Sequence, residues 1–163
     1  MAKTQLANPE ILTMLEAAPR QIAALTADLT AEQLRAAPAE GEWSLVEILA
    51  HLRSCADVWG DCITAILASD FPTLRAMDPR TWTLRTDYPA LAFADSFQAY
   101  SRQRQTLVDQ LSPLPPAAWE RSATVTGAGK VLIRSVHFYA QWLARHERTH
   151  LKQIAATASR LKA

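Results

Sequence analysis

Apolar residues recur at intervals of three and four along most of this chain, the spacing of one face of a helix. Ile11, Leu15, Ala18, Ile22, Leu25 and Leu29 form the first stripe, about five turns long. Asn8 and Pro9 ahead of it read as a cap and a first-turn proline. Thr30 with Gln33 makes a capping box for a short helical turn before Pro38, and Ser44 with Glu47 makes another. The latter opens the stripe Leu45, Ile48, Leu49, Leu52, Cys55, Trp59, Ile63 and Ile66, which predicts a helix to about Ala68.

Between Ser69 and Pro89 three prolines and many polar residues predict a long connection, with Met77, Trp82 and Tyr88 folding back over the helices. Phe93, Phe97, Tyr100, Leu107 and Leu111 predict a third long helix from about Ala90 to Leu111. The stretch from Ala117 to Lys130 holds Gly127 and Gly129 and reads as a loop or brief hairpin. The last helix is expected from about Val131 to Leu161, with Val136, Tyr139, Trp142, Leu143, His146, His150 and Ile154 on one side. Four long amphipathic segments with long connections predict an all-α, four-helix-bundle fold, one domain over residues 1–163.

Composition narrows the function classes. The net charge of +1 comes from 17 basic and 16 acidic residues with no long run of either sign, so no nucleic-acid footprint appears. No run approaches the ~20 apolar residues of a membrane span, and Met1 to Gln5 do not open a signal peptide. The two cysteines, Cys55 and Cys62, sit about two turns apart on one predicted helix, beyond disulfide reach. A cytoplasmic, reducing setting is the expectation.

His146-Glu147-Arg148-Thr149-His150 matches H-E-x-x-H. On a helix its two imidazoles lie one turn apart on one face and can reach one metal ion. Two ligands hold a metal poorly. A zincin protease would take its third ligand from downstream, with Glu147 as general base. Here the tail from Leu151 to Ala163 has no His, Glu, Asp or Cys, so the protease reading fails. His137 lies nine residues before His146, roughly 180° around the same helix. That leaves His51, on the apolar side of the second long helix; alone, such a histidine would read as a core residue, but a pair waiting on a facing helix changes that.

The segment from Trp43 to Leu52 resembles the first signature of the DinB/YfiT-like superfamily, and that from His146 to Ile154 its second. The resemblance implies a four-helix bundle in which three histidines hold a divalent ion, here His51, His146 and His150. Imidazole suits several metals, with zinc or nickel the expected ions. The resemblance also implies a low-molecular-weight thiol cofactor, a small-molecule substrate, thiol-dependent S-transfer or hydrolysis, and a homodimer through exposed helix faces. Glu147 is a candidate base, or else it makes a hydrogen bond behind the ligands or faces solvent; Cys55 is a candidate fourth ligand or a small core residue. Trp43, Trp59 and Trp142 are candidates for a pocket wall or plain core aromatics. Arg75, Arg80 and Arg85 in the long connection either bind an anionic thiol cofactor or are solvated. Two other readings stay open: a non-catalytic metal-binding or stress-response bundle, and a helical interaction protein with vestigial histidines.

Overall fold

A computed structural model describes residues 4–163; Met1 to Lys3 of the expected leaderless N-terminus lie outside them. Four long helices build the bundle. They are α1 (Asn8–Thr26), α3 (Leu45–Ala68), α5 (Phe93–Leu111) and α7 (Val136–Lys162). Short helices α2 (Ala31–Arg35), α4 (Pro79–Thr83) and α6 (Pro116–Trp119) lie in the connections, with one 3₁₀ turn at Tyr88–Ala90. α3 packs against α7 and α5, and α1 packs against the same two, so α3 faces α1 across the bundle.

The capping signals act where the sequence places them. Thr30 Oγ1 accepts from the Gln33 N–H at 3.1 Å, and Ser44 Oγ from the Glu47 N–H at 3.2 Å. Each cap oxygen satisfies an N–H that the helix itself leaves unpaired. At α1 the cap position falls on Ala7, with Asn8 already helical; the Ala7 N–H donates to Glu10 at 2.8 Å instead.

The glycine-containing stretch is a full hairpin. β2 (Ser122–Ala128) pairs antiparallel with β3 (Lys130–Ser135), and β1 (Thr73–Arg75) from the long connection adds in parallel to β2. Gly127 and Gly129 carry positive φ at the bend, where a side chain would be strained. Val131 is therefore in a strand, and α7 starts at Val136, capped by Ser135 Oγ accepting from Phe138 N–H at 3.0 Å. The long connection folds back as expected. Asp57 on α3 accepts from Trp82 Nε1 at 2.9 Å and from the Tyr88 hydroxyl at 2.7 Å.

The core is in two parts. Ile22, Leu45, Ile48, Leu49, Leu52, Tyr100 and Ile154 form one apolar cluster. Ile11, Leu15, Ile63, Ile66, Leu111 and Leu143 belong to the other. Each buried Leu or Ile contributes roughly 1.5–3 kcal/mol over its exposed state. Between the two clusters runs a polar layer in which His51, Ser54, Arg104 and Glu147 are all buried. Among the described residues, no helix is long and apolar enough to cross a membrane.

Candidate metal centre

His51 reaches the polar layer from α3, and His146 and His150 from α7. His146 Nε2 lies 3.2 Å from His51 Nε2 and 3.2 Å from His150 Nε2. The three ring centroids are 4.4 to 5.1 Å apart. Cys55, one turn beyond His51, puts its Sγ 3.6 Å from His51 Nε2. His51, Cys55 and His146 each offer a ligand atom within 4.8 Å of the others. His150 stands outside that set, with its ring 5.0 Å from that of His51.

The electrostatics favour uncharged rings. Burial, reinforced by the neighbouring His150, lowers the pKa of His51 to about 4. Burial and the two other histidines lower that of His146 to about 3. His150 is shifted down as well, chiefly by burial. Its Nδ1 lies 2.8 Å from Gln153 Oε1, an atom that can only accept. The proton therefore sits on Nδ1, and the Nε2 lone pair points into the cluster. His146 Nδ1 is buried without a partner.

Neutral imidazoles crowded at hydrogen-bond distance cannot all be satisfied by one another's protons. A divalent cation would resolve the arrangement, and a nitrogen and sulfur donor set suits zinc and its first-row neighbours. The donor set thus fits a metal. The Cys55 thiol is held well above its ordinary pKa, first by burial and then by the Glu147 charge. It stays protonated unless a cation draws the proton off.

Aromatic rings surround the cluster. Trp43 lies 5.2 Å from His51 and Trp59 5.2 Å from His146, centroid to centroid. Trp142 packs edge-on against Trp59 at 5.8 Å yet stays 49 % exposed. It lines a cavity beside His146. His137 is buried elsewhere: its Nε2–H donates to the Leu6 carbonyl at 2.8 Å, and it ties the N-terminal segment to α7. The phase argument that separated it from the other three is consistent with this.

Glu147 turns the opposite way from His146. Its side chain is 3 % exposed and pairs with Arg104, itself 2 % exposed. Oε1 also accepts from the Tyr100 hydroxyl at 2.7 Å. Burial pushes the carboxyl above its usual range, and the Arg104 guanidinium opposes that shift. The solvent-facing alternative is therefore excluded. Sequence reasoning missed Arg104 and Gln153; the first sits on another helix, whereas the second was signalled by its position three residues after His150.

Helical bundle and donor cluster together define a four-helix protein with a His/Cys cluster capable of binding a divalent metal ion. The chain belongs to the DinB superfamily, whose family model matches residues 14–154. It is similar in structure to YfiT from Bacillus subtilis, described as a probable metal-dependent hydrolase with an unusual four-helix bundle topology. The TM-score is 0.78 at 15 % identity, over 99 % of this chain and 93 % of that one. No curated protein matches the chain in sequence.

Proposed function

We propose that this protein is a metal-dependent enzyme acting on a small molecule, with His51, His146 and His150 as ligands of a zinc or nickel ion. The observation that carries the reading is the meeting of three neutral imidazoles at the level where the apolar core is interrupted. A divalent ion held there supplies Lewis-acid chemistry, which makes a weak nucleophile such as water or a thiol competent near neutral pH. Hydrolysis and thiol-dependent S-transfer are the two reaction types in view. The free state of both cysteines supports a cytoplasmic setting.

Each residue has its task. Gln153 fixes the His150 tautomer, and His51 brings the ligand from the facing helix. Trp43 and Trp59 give the cluster an apolar surround that limits water. Glu147 acts as a positioning residue: paired with Arg104 and Tyr100, it anchors α7 between the two histidines on either side of it. Zinc-loaded wild type should turn over a member of a panel of ester, amide and thiol-transfer substrates. His51→Ala should lose that turnover together with its metal, and unchanged turnover in this variant would contradict the proposal.

A second reading is favoured by Cys55. With its sulfur 3.6 Å from His51 Nε2, it would complete four protein ligands, the closed pattern of a structural site. Metal retained in Cys55→Ser supports the open, catalytic arrangement. Metal lost in Cys55→Ser, with the fold intact, supports a bundle that the ion merely stabilises.

A further inference from the structure

Two cavities reach the histidine cluster. One, about 520 Å³, lies beside His146 and is lined by Leu6, Trp142, Arg145 and Arg148. The other, about 510 Å³, lies beside His150 and is lined by Trp43, Arg80 and Gln153, with Glu42 and Arg160 at its edge. Both have the size of a small-molecule site.

Their charges are disposed differently. On the His150 side, Arg160 donates to Glu42 at 2.6 Å and to the Pro38 carbonyl at 3.3 Å, so those two charges cancel. Arg80, on α4, belongs to none of the three ion pairs among the described residues. Its guanidinium stands 5.8 Å above the Trp43 ring, within cation–π reach. Trp43 in turn packs on His51 at 5.2 Å. On the His146 side, Arg145 is committed to the Thr4 carbonyl, and Arg148 has no aromatic ring beneath it.

We propose that the His150-side cavity receives the substrate, that the substrate carries a carboxylate, and that Arg80 selects it. This rests on the metal-dependent reading above. The lining itself favours a carboxylate. Glu42 is paired to Arg160, which leaves Arg80 as the guanidinium on this cavity's wall without an ion pair. A guanidinium meets a carboxylate through two parallel N–H donors in one plane. A phosphate dianion brings a second charge that no other unpaired side chain of the lining answers. Trp43 offers the apolar wall for the carbon skeleton, between the arginine at one end and the histidines at the other.

Calorimetric titration with butyrate, its neutral amide butyramide and inorganic phosphate tests the proposal on zinc-loaded and metal-free protein. Zinc-loaded wild type should bind butyrate in preference to butyramide, and metal-free wild type should prefer butyrate to phosphate. Arg80→Gln should weaken butyrate about tenfold or more, with Arg80→Lys in between. Zinc content should be the same in every variant. Arg148→Gln, which alters the other cavity, should bind as wild type does. Equal butyrate affinity in wild type and Arg80→Gln overturns the proposal, as does a loss that follows Arg148 or a preference of the metal-free protein for phosphate. Wild type that takes up no zinc sinks the metal reading instead. In that event, butyrate binding to metal-free protein that still depends on Arg80 upholds the anion site, and its absence overturns that site too.

Discussion

His146 and Glu147 are adjacent in the chain and serve two regions of opposite character. His146 faces α3, where ring nitrogens crowd together with no charge among them and one buried nitrogen lacks a partner. Glu147 faces the bundle interior, where its charge meets Arg104 and its oxygen meets Tyr100. Both regions interrupt the same apolar core. The carboxylate region balances its charges within the protein, with Glu147 Oε2 and Arg104 Nε and Nη1 left without hydrogen-bond partners, whereas the imidazole region is a set of donors that needs a cation from outside. One step along a helix turns a side chain by roughly 100°, and here that step separates a structural charge pair from a ligand-binding cluster.

The comparison is broken most severely by removing half of the pair. Arg104→Ala leaves Glu147 buried without its counter-charge and should cost about 3–5 kcal/mol of stability. Replacing both, Arg104→Met with Glu147→Leu, should recover most of that in urea unfolding. A double variant no more stable than the single one would show that the pair is not a self-contained unit. Next in size is the effect of Gln153→Ala, which frees the His150 tautomer. Metal affinity should drop about 10- to 100-fold in competition with a chromogenic chelator, while stability of the metal-free form changes little.

Acid sharpens the contrast by acting on the imidazoles first. His51 and His146 have folded-state pKa values of about 4 and about 3, below the ordinary 6.5. The unfolded chain therefore binds more protons than the folded one across that window. Metal-free protein should lose stability progressively as pH falls from 6.5 towards 4, and His51→Ala should flatten that slope. An unchanged slope in His51→Ala would mean that the imidazoles are not the groups titrating. The smallest effect belongs to the surface: Arg160→Gln breaks an ion pair whose two side chains are about half exposed. It should cost less than about 1 kcal/mol and leave metal content unchanged.

Much of this arrangement was readable before the fold. The capping boxes at Thr30 and Ser44 gave two helix starts because the cap oxygen and its N–H donor are three residues apart, a local relation. Helix α3 ends at Ala68, as its stripe predicts. The run from Val131 to Arg134 was read as helix because a short apolar run does not distinguish strand from helix. Its strand state comes from pairing with β2, and β2 in turn pairs with β1 some fifty residues away. The three histidines were legible from helical phase and family resemblance, since two of them share one turn. The Arg104–Glu147 pair was not, because nothing near Glu147 in the sequence announces a guanidinium on α5. Cys55 stays open between ligand and core residue in the sequence, because a cysteine in a helical stripe looks like packing until its neighbours are seen.

The central claim is that the imidazole region, and no other group in the bundle, holds a divalent ion. Elemental analysis of purified wild type beside His51→Ala, His146→Ala, His150→Ala and His137→Ala tests it most directly. One equivalent of metal in wild type and His137→Ala, with little or none in the other three, is the predicted result. Metal content in His51→Ala equal to that of wild type would contradict it.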